Sequence, residues 1–291
     1  MSFLSEFLYL YGSITNLVLL NCLLALSAYM NFSCGQFSVA APGFMAIGAY
    51  SATLLTTQMQ WPFAAVLLGG VIAAALVALL FGLPILKLKG VYLAMATLGF
   101  VQVVQNLAIN LNITGGAIGL MGIPTKTETW HLALALAAFL YLLGVIARSR
   151  LGAGLRAIRQ DWQLARVMGV HLDRYNIIAF VMAAAMAGLA GGLAAHANNA
   201  VVPGDFGFGL VVAVLSFAIV GGIDRAWGPI LGALLLTILP EVSRPLQEYR
   251  LIATGLLLLI VILFLRRGLA GLVVDAWQVL RTTGNRWLFS K

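Results

Sequence analysis

Long apolar runs separated by short polar breaks make up most of this chain, and no charged residue occurs between Glu6 and Lys87. A hydrocarbon core of about 30 Å needs about 20 apolar residues per helix. By that length the pattern predicts about nine spans, with eight to ten allowed by the short runs. They cover residues 8–30, 36–57, 62–86, 90–110, 130–147, 174–196, 206–222, 227–240 and 251–265. A membrane barrel would alternate apolar and polar residues, and these runs are unbroken. The expected fold is therefore an all-α polytopic membrane protein. Gly35, Pro42, Gly43 and Gly48 interrupt the second run. There Gly35-Gln36-Phe37-Ser38 and Pro42-Gly43 are expected to break a helix at membrane depth. Irregular backbone at that depth is tolerated only where protein buries it or a wet cavity receives it.

Composition agrees with this pattern. The chain is 62% hydrophobic and 9% charged, whereas a soluble domain carries about a quarter of its residues charged. Its net charge of +8 reflects basic loops on the cytoplasmic face and does not point to nucleic acid. Alternate loops on one side hold fourteen of the seventeen Lys and Arg residues, and the other side holds only Lys126, Arg244 and Arg250. This partition places the N-terminus outside and the C-terminus inside. No polar linker, low-complexity tract or repeat divides the chain, so residues 1–291 read as one membrane domain. Cys22 and Cys34 read as small buried apolar residues and not as a disulfide or metal pair. The N-terminus lacks a basic n-region, so no cleaved signal peptide is expected.

One segment stands apart. The loop at 148–174 holds Arg148, Arg150, Arg156, Arg159, Arg166 and Arg174. Within it, Leu151 to Met168 predicts a short amphipathic helix outside the bilayer. Leu155, Ile158, Trp162 and Ala165 would form its apolar face, with Arg156, Arg159 and Arg166 as a stripe beside it. Gly152 and Gly154 loosen its start, and Gly169 can end it in a left-handed cap. Two readings fit: a helix lying on anionic headgroups, or a docking helix that enters a groove on a cytoplasmic subunit. The tail at 266–291, apolar and basic from Leu269 to Phe289, reads as an interfacial helix.

Polar residues inside the spans are few. Gly35, Gln36 and Ser38 could offer hydrogen bonds along a translocation pathway, or simply form a packing kink. Thr97, Gln102 and Gln105 in the fourth span fit interhelical hydrogen bonding or pathway lining. Asn198 and Asn199, ahead of Pro203, Gly204 and Asp205, make an external turn that is either an outer gate or a plain polar loop. Gly188 and Gly192 form G-x-x-x-G, a helix-packing motif. His131, His171 and His196 lack the H-E-x-x-H spacing, so no metal site and no catalytic residue are expected. The sequence has no G-x-x-x-x-G-K-[ST], so it cannot cradle ATP phosphates in the P-loop manner. Nor do the spans hold a buried carboxylate relay of the proton-coupled kind. Energy for transport would come from elsewhere.

Four stretches together carry a family resemblance. Leu155-Arg-Ala-Ile-Arg-Gln-Asp161, continuing through Ala165 and Gly169 to Arg174-Tyr175 and Ala179-Phe180, resembles the coupling loop of bacterial ABC importer permeases. Gly35-Gln36-Phe37-Ser38 with Phe44 and Ile47-Gly48-Ala49-Tyr50 is similar to the broken second helix of the branched-chain amino acid permeases. Thr114-Gly115-Gly116 with Gly119-Leu120, and Gly221-Gly222 with Trp227-Gly228-Pro229 and Gly232-Ala233, are similar to that family's external loop and late glycine-rich turn. The matches run in order from about residue 20 to 265. Two positions depart from the family pattern. Ala41 stands where a histidine is common, and Trp162 where an acidic residue is usual, which implies a partner groove that accepts an indole.

The resemblance implies a permease subunit of an ATP-driven importer in the bacterial inner membrane. A second, homologous permease, two cytoplasmic ATP-binding subunits and a periplasmic substrate-binding protein would complete it. ATP and Mg would sit in the ATPase subunits, with no cofactor in this chain. Leu155, Arg156, Ala157, Ile158, Arg159, Asp161, Trp162, Ala165 and Gly169 would couple to the ATPase. The low charge of the spans fits a net-neutral solute: a branched-chain amino acid, or equally urea or a short amide. A stand-alone secondary transporter is the rival class. An integral membrane enzyme would need a catalytic constellation, and the sequence offers none.

Overall fold

The computed structural model describes residues 3–242 together with Gly255, Leu269 and Gly271. Ten α-helices account for most of it: α1 (Phe3–Phe32), α2 (Ala41–Met59), α3 (Phe63–Ile85), α4 (Val91–Asn110), α5 (Thr129–Arg148), α6 (Arg150–Gln160), α7 (Trp162–Val167), α8 (Leu172–Asn198), α9 (Phe208–Gly221) and α10 (Trp227–Val242). Two short strands, β1 (Leu120–Met121) and β2 (Ala200–Val201), pair antiparallel with Leu120 opposite Val201. The expected spans from 8–30 to 227–240 fall on α1 to α5 and α8 to α10. The span expected at 251–265 and the tail at 266–291 lie outside the described residues, save the three named above.

Among the described residues, five helical segments are long and apolar enough to cross a membrane: 12–32, 63–85, 91–110, 129–148 and 172–198. Helices α9 and α10 are apolar but shorter. The pattern of exposure is that of a protein solvated by lipid. Leu68, Ile72, Leu76, Leu80 and Leu83 line an exposed apolar stripe on α3, while Ser27, Thr53, Thr97 and His196 are buried inside. In a bilayer the apolar side chains face hydrocarbon, while Ser27 and His196 bond across helices, to Ala183 O and to Thr56.

Helix α8 is the hub. Helices α1, α2 and α3 pack along it, and Ala179, Ala183, Ala184, Ala187, Ala190 and Ala194 are buried there. Small residues let backbones approach closely. A Cβ on Gly48 of α2 would fall onto the Gly188 backbone, 2.6 Å from its carbonyl carbon, and a Cβ on Gly188 would lie 2.6 Å from that of Ala74 in α3. A Cβ on Gly192 would stand 3.3 Å from that of Ala52.

The second helix differs from expectation. It begins at Ala41, with Pro42 in its first turn. Proline there lacks only an amide that has no intrahelical partner anyway, so it starts the helix where a break was expected. Gly43 lies close to α4: a Cβ would stand 2.9 Å from the Phe100 ring. Residues 36–40 are non-helical and form the lead-in to α2.

Candidate functional site at the basic end of the bundle

The helix expected over 151–168 is two helices. Asp161 is extended (φ −155°, ψ 107°), and its carboxylate accepts hydrogen bonds from the amides of Gln163 (2.8 Å) and Leu164 (3.1 Å). An Asp side chain that caps the following turn competes with helix continuation, which is why the chain breaks here. Helix α6 starts on Ser149, whose Oγ accepts from Gly152 N at 3.3 Å. Gly152 abuts the Ile146 carbonyl at the tight corner from α5, and Gly154 abuts the Tyr175 ring. After α7, Gly169 is left-handed (φ +83°), and Val170 N donates to Ala165 O at 3.0 Å.

The break changes which residues share a face. Leu155, Ile158 and Ala165 are buried, and Ile158 and Ala165 pack with Leu172 of α8. Ala157 is partly buried against the same cluster. Trp162 does not share that face; it is 40% exposed, because the interruption at Asp161 resets the helical phase. The Lys89 ammonium lies 3.2 Å from the Trp162 ring centroid, and the Arg166 guanidinium carbon 5.9 Å from it. Leu164, Val167 and Met168 are exposed by 58%, 84% and 76%. They form an apolar surface that was not singled out in the sequence. Read from Asp161 as a cap, their i, i+3, i+4 spacing is visible in the sequence.

Two arginines of the stripe are bound within the chain. Arg156 donates to Ala147 O at 2.7 Å. Arg159 donates through Nη2 to Asp224 Oδ1 at 2.8 Å and through Nη1 to Ile223 O at 3.1 Å. These bonds tie α6 to the turn between α9 and α10. Gly35 meets α6 from the other side. It has φ +76°, and a Cβ there would lie 3.3 Å from Arg159 Cα. Only glycine adopts that backbone freely at so close an approach.

The expected pathway residues separate into two groups. Gly35, Gln36, Ser38 and Thr97 gather at the end where α6 and α7 lie. Gln36 Nε2 donates to Asn176 O at 3.0 Å. Thr97 Oγ1 accepts from Val39 N at 3.1 Å and donates to Leu93 O at 2.9 Å. Ser38 Oγ accepts from Ala40 N at 3.4 Å. Buried backbone polar groups require partners, and these side chains serve the unwound lead-in to α2. At the opposite end, Gln105 packs against Gly207, whose Cβ would lie 2.9 Å from Gln105 Nε2. Asn199 there caps α8 with φ +58° and accepts from Ile123 N at 3.2 Å. Asn198 is exposed beside it, and Gln102 is half-buried on α4. Lys87, Lys89, Arg148, Arg150, Arg156, Arg159, Arg166, Arg174 and Arg225 lie at the α6–α7 end, and Lys126 lies at the other.

A cavity of about 450 Å³ opens at the α6–α7 end between the lead-in to α2, the α3–α4 loop, α6, α7 and the start of α8. Gln36, Lys87, Lys89, Arg159 and Asn176 are among its lining residues. Sequence reasoning missed Asn176, Lys87 and Lys89 as site residues, since only the fold brings them to Gln36. Cys34 also lines the cavity, and burial pushes its thiol up to about 12, so it remains protonated. The histidines at 131 and 196 have structural partners. His131 Nδ1 accepts from Glu128 N at 3.2 Å in a capping box. His196 bonds Thr56 Oγ1 and Gly192 O, each at 2.8 Å.

Comparison with known proteins bears on this arrangement. The profile of the family "Branched-chain amino acid transport system / permease component" matches residues 10–265. The high-affinity branched-chain amino acid transport system permease protein LivM of Salmonella typhimurium is 32% identical over 263 residues, which covers 78% of this chain and 62% of that protein. LivM of Escherichia coli K12 shows the same identity and coverage. LivH of Escherichia coli K12 is 32% identical over 136 residues, 46% of this chain and 44% of that protein. The chain thus spans under two thirds of the length of the LivM relatives it matches. No solved structure matches. With its family profile covering nearly all of the helical bundle, this chain belongs to the branched-chain amino acid transport system permease family.

Proposed function

We propose that this chain is a permease subunit of an ATP-driven importer that carries branched-chain, aliphatic amino acids across the bacterial inner membrane. The basic end of the bundle carries the reading, because there a surface helix pair is bound into the spans on one side and leaves apolar side chains open on the other. The family match supports the substrate class. Residues 1–291 act as one membrane domain with about nine spans, the N-terminus outside and the C-terminus inside, in keeping with the gathering of Lys and Arg at one end.

In this reading α6 and α7 form the coupling element. Leu155, Ile158 and Ala165 anchor it to the bundle, so the residues free to enter an ATPase groove are Leu164, Val167 and Met168, with Trp162 at their edge. Arg159 transmits motion through Asp224 and Ile223 to the α9–α10 turn, and Gly35 transmits it to the lead-in of α2. ATP and Mg bind to the partner ATPase subunits. A second permease and a soluble binding protein complete the pathway, and this subunit catalyses no covalent step. Few polar groups line the bundle interior, which suits passage of a net-neutral solute without a deep trap.

Affinity purification of the chain from its native membrane, followed by mass spectrometry, tests the assembly. A second permease and ATPase subunits are expected to co-purify. A chain that purifies alone and transports in liposomes without ATP would overturn the reading.

A further inference from the structure

We propose that the groove between the end of α3 and the start of α8 is a binding site for the phosphate headgroup of an anionic phospholipid. The proposal concerns a lipid, and so goes beyond the transported solute and the coupling contact. Lys87 follows α3 by two residues, and Asp173 and Arg174 lie in the first turn of α8. Between them is a cavity of about 290 Å³, walled by Leu83, Leu86 and Ile177. It shares Leu86, Lys87 and Asp173 with the larger cavity beside α7, which adds Lys89 and Arg166.

The charge of this rim is uncompensated. Lys87, Lys89, Arg166 and Arg174 are all exposed, so a ligand reaches them without opening the bundle. Against these four cations the two cavities set one acid, Asp173. Arg159, which also borders the larger cavity, is already paired with Asp224, and among the described residues that is the one ion pair. Lys89 and Arg166 face the Trp162 ring instead of a carboxylate. Such a surplus favours an anion from outside the chain, and a phosphate offers both the charge and the several acceptor oxygens that Lys and Arg donors use.

The apolar wall identifies the source of that anion. Leu83 is 59% exposed and continues the α3 stripe of Leu76 and Leu80 that faces hydrocarbon. The groove therefore runs from a cationic rim onto a lipid-facing helix, at the level where Lys and Arg at span ends reach the headgroup layer. Basic pockets between spans on the positive side are suited to anionic headgroups. A free phosphate would satisfy the cations and leave the leucines bare. A zwitterionic lipid would bring a further cation to a rim that is already positive. An anionic phospholipid meets both halves: its phosphate lies among Lys87, Arg174 and their neighbours, and an acyl chain follows Leu83 and Leu80. Its occupancy ties the α3–α4 loop to the start of α8.

The test uses the complex with its partner subunits, purified in detergent and titrated with dioleoyl phosphatidylglycerol or dioleoyl phosphatidylcholine. Native mass spectrometry counts the bound lipid. Saturable phosphatidylglycerol binding is expected, with phosphatidylcholine weaker by about tenfold or more. Lys87→Gln and Arg174→Gln are each expected to weaken one phosphatidylglycerol site per copy of this chain about fivefold. Asp173→Asn removes the opposing charge and should tighten the same site. Arg148→Gln is the control: it removes an exposed cation from the same end of the bundle but outside both cavities, and should leave the site unchanged. Equal binding of the two lipids would overturn the proposal. So would an Arg148→Gln effect as large as that of Lys87→Gln, which would reduce the site to general basic charge. Displacement of phosphatidylglycerol by millimolar inorganic phosphate would assign the cations to a soluble anion. Unchanged lipid binding with loss of the ATPase in Lys87→Gln and Arg174→Gln would assign them to the partner protein.

Discussion

The contact between α2 and α8 gives a prediction whose size can be worked out. Gly48→Ala adds one methyl group that would lie 2.6 Å from the Gly188 carbonyl carbon and closer still to its oxygen and Cα. All three obstacles are backbone atoms in the middle of a helix, so no rotamer change relieves them. Ordinary contact begins at 3.4 Å, so the carbonyl carbon alone requires the helices to separate by about 0.8 Å, and the nearer oxygen and Cα require more. A gap of about 0.5–1 Å forfeits a quarter to a half of the dispersion attraction of the atoms across it. The Gly191 backbone, seated against Met45 and Ala49, would lose contact in the same movement. Overpacking of a close-packed core costs about 1–3 kcal/mol, and a backbone obstacle puts this case at the top, about 3 kcal/mol. Gly144→Ala is the control. It has nothing within 4 Å of its Cβ, sits mid-helix in α5, and stands to gain about 0.5–1 kcal/mol from helix propensity. At about 2–4 °C per kcal/mol, thermal melts in nanodiscs should place Gly48→Ala about 6–12 °C below the parent and Gly144→Ala at or above it. Equal midpoints for the two variants would refute the backbone-contact argument.

Other expectations follow from the basic end. Leu164→Asp or Val167→Asp should abolish co-purification of the ATPase and leave the melt within about 1 kcal/mol of the parent, because these side chains are exposed; retained ATPase would move docking elsewhere. Asp224 is 73% exposed and Arg159 28%, so Asp224→Asn should cost below about 1 kcal/mol. Arg159→Met should cost more, since it also loses the bond to Ile223 O; equal melting shifts would contradict that ordering. Cys34, buried and held protonated, should resist maleimide at pH 8 in the folded complex and react after denaturation, as read by mass spectrometry. Rapid labelling of the native protein would show that the lead-in to α2 opens.

The helices were legible because an apolar run of bilayer length has few alternatives, and α3, α4, α5 and α8 lie within a few residues of their expected spans. The basic island was legible for a related reason: six arginines cannot enter hydrocarbon. What the sequence concealed depends on local competition or on the tertiary fold. Asp161 reads as one more polar residue on an amphipathic helix until its carboxylate is seen capping the next turn. That interruption moved Trp162 off the buried face. Pro42 is a helix breaker or a helix starter depending on where the first turn begins. The pairing of Gln36 with Asn176 spans 140 residues, and no periodicity announces it. The same holds for Asp224, whose role depends on α6 lying beside the α9–α10 turn.

The most direct test of the central claim is leucine uptake into proteoliposomes that contain this chain, its partner permease, the ATPase subunits and the binding protein. The account predicts uptake that requires ATP, survives collapse of the ion gradients, and is lost on Val167→Asp. Uptake driven by an ion gradient without ATP, or ATP-driven uptake indifferent to Val167→Asp, would contradict it.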